Sequence, residues 1–223
     1  SSFFTPERLW GPEEHKETTG TIRRMAERFV EPGLIEDWIS LMTRVPQLED
    51  FKVGNYFENG HVFDFGKTKM KAVHAPGHTD DHYCFYLPNE KIMLTTDIDF
   101  TSFGPWYGNP ESDIDIFIDS IERLRGYDIE TVLSSHLGVI KNNIEEKFDQ
   151  FLAVFEERDE KILEFLGSPR SIEDFVEEAL IYHRYPYAES ILRFFEAQMI
   201  EKHLKRLISR GLVREVDGKF VRA

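Results

Sequence analysis

The stretch His74-Ala75-Pro76-Gly77-His78-Thr79-Asp80-Asp81-His82 sets three histidines at every fourth position around a Pro-Gly turn. Two further segments go with it, Leu94-Thr95-Thr96-Asp97 and Val132-Leu133-Ser134-Ser135-His136-Leu137-Gly138. In each, an apolar run meets a turn, which is how the edge of a sheet presents a side chain. Imidazole and carboxylate are the ligand types that borderline divalent metals such as zinc take. The three motif histidines, His74, His78 and His82, with Asp97 and His136, are therefore the candidate metal ligands.

Around these segments the sequence reads as an α/β chain. Residues 69–74 alternate as a half-buried strand should, and 83–87 and 91–95, joined by Pro88-Asn89-Glu90, read as a hairpin that ends at Asp97. Glu58-Asn59-Gly60 signals a tight turn. Ser112-Asp113-Ile114-Asp115 reads as a capping box opening a helix with Ile114, Phe117, Ile118, Ile121 and Leu124 on one stripe, and Gly126 is placed to end it. A strand over 129–134 then leads to His136. A long amphipathic helix follows over 144–166, with Phe148, Phe151, Leu152, Phe155, Ile162 and Phe165 on its inner face. Nearer the start, 21–30 and 36–43 read as short helices.

The pattern changes near Gly167-Ser168-Pro169-Arg170. Residues 171–223 carry nine Lys/Arg and nine Asp/Glu, so the net charge of −14 lies entirely before them. A short helix capped by Ser171, a longer one to about residue 210, and an Asp217-Gly218 hairpin follow. Helices followed by a hairpin resemble a winged helix. The expected division is a main domain over 1–167 and a winged-helix-like subdomain over 168–223.

Composition bounds the chemistry. With 223 residues, 41% of them hydrophobic, the chain has material for one medium domain and a small appendage. No apolar run approaches the ~20 residues of a membrane helix, and no secretory leader is visible. One cysteine, Cys84, excludes an internal disulfide and suits a reducing cytoplasm. The acidic balance argues against a general polyanion-binding surface.

Together the Pro-Gly-His turn, Thr-Thr-Asp and Ser-Ser-His-Leu-Gly, in this order, resemble the metallo-β-lactamase superfamily. The resemblance covers residues 1 to about 166 and implies part of an αββα sandwich. It implies that His78 ligates the first metal of a pair, Asp97 bridges both, and His136 ligates the second. Zinc is the expected metal, with iron or manganese as alternatives. His74 and His82 are expected to support the ligands through hydrogen bonds that orient them. Asp80, Asp81 and Asp99 read equally as solvated loop carboxylates, and Trp106-Tyr107 as a site wall or as packing beneath the next helix. His15, His61, His183 and His203 lack motif context and read as structural.

The family's His-x-His-x-Asp-His motif is absent from this sequence. Three ligands shared between two metals fall short of the three per ion that catalytic zinc takes. The expectation is thus a truncated domain that binds metal weakly, or an inactive fragment. The leading function is a metal-dependent hydrolase of an ester, thioester, lactone, lactam or phosphodiester in a small-molecule substrate. The alternative is a non-catalytic binding protein whose tail contacts nucleic acid through Lys202, Lys205, Arg206 and Arg210, a reading the neutral tail disfavours. A homodimer through that tail is a further expectation.

Overall fold

Apolar residues at alternate positions build one six-stranded sheet in the order β1 (Val62–Asp64), β2 (Lys69–His74), β3 (Tyr83–Leu87), β4 (Ile92–Thr96), β5 (Thr131–Ser134) and β6 (Gly138–Ile140). Neighbours are antiparallel except β4 and β5, which are parallel. The computed structural model describes residues 55–186 and 189–223, with Arg23, Glu27, Gly33, Ile35, Glu36 and Ile39. Of those six, all but Gly33 are α-helical. The rest of the helices expected over 21–30 and 36–43 lies outside the described residues.

Register fixes the two faces of the sheet. Val73 pairs with Cys84, Tyr86 with Met93, Met93 with Val132, and Val132 with Ile140. Directly paired residues share a face, and these six are all buried. The opposite face carries Phe85, Leu94 and Leu133, which are only half-buried, and Val139, which is exposed. The segment just before β5 lies on the buried face: the Tyr127 ring meets Tyr86 edge-on at 4.9 Å, and the Tyr86 hydroxyl donates to the Asp128 carbonyl at 2.7 Å.

A parallel pair needs a crossover, and helix α1 (Ile114–Arg125) supplies it between β4 and β5. The expected stripe is observed, with Ile114, Phe117, Ile121 and Leu124 buried. The cap, however, is Asp113 and not Ser112: the Asp113 carboxylate accepts the Ile116 N–H at 3.0 Å. Both residue types cap well, and Ser112 is instead drawn to the His78 carbonyl. Gly126 ends the helix as expected but in right-handed geometry, so its left-handed freedom is not used. Helix α2 (Ile144–Phe165) buries Phe148, Phe151, Phe155 and Ile162, and Phe155 meets Phe117 of α1 at 5.7 Å.

Helix α3 (Ile172–Glu178) opens on the expected capping box of Ser171 and Asp174. Helix α4 (Glu189–Ser209) follows, then the hairpin of β7 (Val213–Val216) and β8 (Lys219–Arg222), a separate two-stranded sheet. Its Asp217-Gly218 turn has positive φ at both positions, 51° and 72°, as a two-residue hairpin turn of the primed kind requires. By packing, the chain divides into residues 58–184 with 195–223, and residues 1–57 with 185–194. The boundary expected at 167/168 falls inside the first of these groups.

Candidate metal centre

The three candidate ligands are brought together at one end of β4 and β5. Asp97 follows β4, and one carboxylate oxygen lies 3.3 Å from His136 Nε2 while the other lies 3.9 Å from His78 Nε2. His78 is largely enclosed, whereas Asp97 and His136 are open to solvent.

His78 is delivered by the Pro-Gly turn, and Gly77 is demanded there twice over. Its φ is +128°, and a Cβ at this position would come within 2.3 Å of the Phe117 Cα. Only glycine lets the turn lie directly against α1. The turn is then tied to the start of that helix: Asp113 N–H donates to the Gly77 carbonyl at 3.1 Å, and the Ser112 hydroxyl to the His78 carbonyl at 2.6 Å. The His78 Nδ1–H donates to the Trp106 carbonyl at 2.8 Å, so Nε2 carries the lone pair that faces Asp97.

Asp97 is placed by a strained residue. Thr96 has φ +48°, uncommon for a β-branched side chain, and the β4–β5 register shifts between Leu94 and Thr96. The Thr96 hydroxyl has one proton to give to either His82 Nε2 at 2.7 Å or the Tyr83 carbonyl at 3.0 Å, and the Thr96 carbonyl accepts the Ser135 N–H at 3.3 Å. These contacts hold the kink that turns Asp97 toward the histidines.

Both nitrogens of His82 are engaged away from the three ligands' side chains. Nδ1–H donates to the Ala75 carbonyl at 2.9 Å and Nε2 accepts the Asp97 N–H at 3.3 Å. Burial holds its pKa below the ordinary imidazole value, which keeps it neutral. His74 lies on the half-exposed face, its Nε2 2.7 Å from the Asp80 carbonyl, where it braces the 78–82 loop. Asp81 accepts the Thr79 hydroxyl, and Asp99 accepts the N–H and hydroxyl of Thr101, so both close local turns.

Three contributors escaped the sequence reading. Ser134 donates to the Asp99 carbonyl at 2.7 Å and accepts the Leu137 and His136 N–H groups, shaping the turn that carries His136. Ser112 and the Trp106 carbonyl hold His78. A serine and a main-chain oxygen have no signature of spacing, although Ser134 does stand in the quoted motif. The Trp106 ring lies 5.6 Å from His78 and 5.0 Å from Phe195 of α4, the last helix and not the next one along the chain.

The donors are of the types that a metal takes. Two nitrogen or oxygen donors held at ~2.0–2.1 Å on a tetrahedral ion lie about 3.4 Å apart; the Asp97–His136 separation of 3.3 Å matches this, and the Asp97–His78 separation of 3.9 Å is wider. Each of these two half-sites has two donors. Among the described residues no group of three His, Cys, Asp or Glu is arranged around a single ion.

Comparison with known proteins gives a consistent answer. The family model for the metallo-beta-lactamase superfamily matches residues 5–136. An atrochrysone carboxyl ACP thioesterase from Pseudocercospora fijiensis is 26% identical over 85% of this chain and 53% of its own length. A hydroxyacylglutathione hydrolase from Francisella philomiragia is 32% identical over 36% of this chain and 32% of its own. The chain thus spans about half, or less, of these curated relatives. Among solved structures, a metallo-beta-lactamase family protein from Thermus thermophilus superposes with a TM-score of 0.72 at 20% identity, over 97% of this chain and 68% of that one. A beta-lactamase domain protein from Burkholderia ambifaria gives 0.63 at 18% identity, over 94% and 63%.

Proposed function

The chain belongs to the metallo-β-lactamase superfamily, and we propose that it serves metal-dependent hydrolysis of a thioester. The observation that carries this reading is the Asp97 carboxylate set between His78 Nε2 and His136 Nε2. The thioester is chosen over an ester, lactone, lactam or phosphodiester because one curated relative is named an ACP thioesterase and the other a hydroxyacylglutathione hydrolase.

His78 and Asp97 would hold one ion, and Asp97 with His136 a second. Metal bound there supplies Lewis acidity, bringing the pKa of a water toward ~7 and polarising the acyl carbonyl. The chain's own residues set the geometry. Trp106 fixes the His78 tautomer, His82 fixes the Asp97 backbone, and Ser134 fixes the turn before His136. In the net reaction water gives its hydroxyl to the acyl carbon, the carbon–sulfur bond breaks, and the thiolate takes up a proton. His136 and Asp97, being open, face the side from which substrate arrives.

Contact with nucleic acid through α4 is the weaker reading. Arg206 is buried against Asp115, Glu156 and Asp159, Arg210 pairs with Glu156, and Lys202 donates to the carbonyls of Pro110 and Ser112. These internal partners oppose phosphate binding.

Thiol release from an acyl thioester, followed as zinc is added, tests the proposal. Turnover that rises with zinc and vanishes in Asp97→Ala is expected. Equal release by Asp97→Ala and the unaltered chain, or none by either, would overturn it.

A further inference from the structure

The Trp106 carbonyl, which accepts the hydrogen bond from His78 Nδ1–H, belongs to a loop fastened to two helices by a buried polar network. Arg158 of α2 is 4% exposed and donates to the carbonyls of Phe103 at 2.6 Å and Pro105 at 2.7 Å. It also donates to the Tyr107 hydroxyl at 2.8 Å, with its guanidinium over the Phe103 and Tyr107 rings. The Tyr107 hydroxyl lies 2.6 Å from His203 Nε2, and His203 Nδ1 lies 2.6 Å from an Asp159 oxygen. The other Asp159 oxygen accepts from Arg206.

Proton positions follow from the chemistry. A carboxylate only accepts, so His203 carries its proton on Nδ1 and Nε2 accepts from Tyr107. Burial pushes the Tyr107 phenol up to about 12 and holds His203 below its ordinary value, so both are neutral. The Tyr107 oxygen is then free to accept from Arg158. Trp106, between Pro105 and Tyr107, is also held by its indole N–H on the Tyr182 hydroxyl at 2.8 Å. Tyr182 is in turn fixed by its backbone N–H on Glu196, a wholly buried carboxylate that also accepts the Ile181 N–H.

Well-packed apolar residues stabilise a core as well as buried charges do, so such a network contributes geometry more than stability. We infer that Tyr107, Arg158, His203 and Asp159 are positioning residues: they aim the Trp106 carbonyl at His78 Nδ1, so that Nε2 stays bare toward Asp97. The inference rests on His78 being a metal ligand. It makes α4 part of the metal site's support rather than an independent module.

The test is the ring 15N shift pattern of His78 in mildly alkaline buffer after chelator treatment, with its signals assigned by loss in His78→Gln. Zinc affinity is measured in parallel. Tyr107→Phe keeps the ring on Phe155 and removes only the hydroxyl. Arg158→Lys keeps the charge and loses the forked contact. Both are expected to admit the Nε2–H tautomer of His78 and to weaken zinc binding about 10-fold or more, the range for such outer partners. Folded variants with lower melting temperatures but unaltered His78 shifts would overturn the inference. The shifts need neither turnover nor metal, so they decide this point even if the thioesterase reading fails.

Discussion

His82 Nε2 accepts the backbone N–H of Asp97 at 3.3 Å while its Nδ1–H donates to the Ala75 carbonyl at 2.9 Å. The second and third histidines of the motif thus divide their labour: His78 turns a nitrogen toward Asp97's carboxylate, and His82 holds Asp97's main chain. His82→Ala strands a buried donor and acceptor and leaves a cavity, at an expected cost of about 2–4 kcal/mol in urea unfolding. A change below about 0.5 kcal/mol would remove His82 from the supporting structure.

Gly77 is the second test. Gly77→Ala puts a Cβ 2.3 Å from the Phe117 backbone at a φ of +128°, so strain and overpacking act together. The expected loss is about 3 kcal/mol or more. Gly60, with φ +84° and nothing within 4 Å of an added Cβ, is the matched control. Gly60→Ala should cost only about 1 kcal/mol, because conformation alone is affected. Equal losses would mean that the turn does not depend on contact with α1.

Mild acidification from neutral pH should weaken the fold. His82 and His203 have pKa values below the ordinary imidazole value, chiefly through burial. The unfolded chain therefore binds their protons first, and the stability they contribute is full above about 6.5 and falls as pH drops below it. Glu196 acts in the opposite sense: burial raises it to about 6, so its proton stabilises the fold as pH falls below that value. Two histidines against one carboxyl leave a net loss as pH falls from about 6.5 to about 5.5, read as a falling urea midpoint. His203→Gln keeps one donor for Asp159 and one acceptor for Tyr107 without titrating, and should make that fall shallower. A midpoint that rises on acidification over this interval would contradict the burial of both histidines.

Arg206 should behave as a core residue despite its place in a basic stripe. Arg206→Met leaves Asp159 buried without its closest cation, an expected loss of about 3–5 kcal/mol. Lys205→Met, one position away and exposed, should stay within about 0.5 kcal/mol.

Strands β2 to β5, α1, α2 and the Asp217-Gly218 hairpin were legible because each rests on a local rule: alternation, a 3–4 spacing, or a turn that needs positive φ; β1, three residues long, was not read. The convergence of Asp97, His78 and His136 was legible because these residue types stood at the ends of such elements. Strand β6 was missed, since Gly138-Val139-Ile140 is too short to show a period. The cap shifted from Ser112 to Asp113 because only the fold reveals that His78's carbonyl claims the serine. His203 read as structural from sequence, and its burial between Asp159 and Tyr107 joins residues 44 and 96 positions apart. No window of sequence displays such a contact.

The central claim is that His78, Asp97 and His136 bind metal as two half-sites sharing Asp97. Calorimetric titration of zinc into the chain after chelator dialysis, beside Asp97→Ala and His136→Ala, tests it most directly. Weak binding is expected in the unaltered chain, abolished by Asp97→Ala and reduced but not lost in His136→Ala, where the His78–Asp97 pair remains. Binding unchanged in Asp97→Ala, or a metal pair retained stoichiometrically through the dialysis, would contradict the assignment.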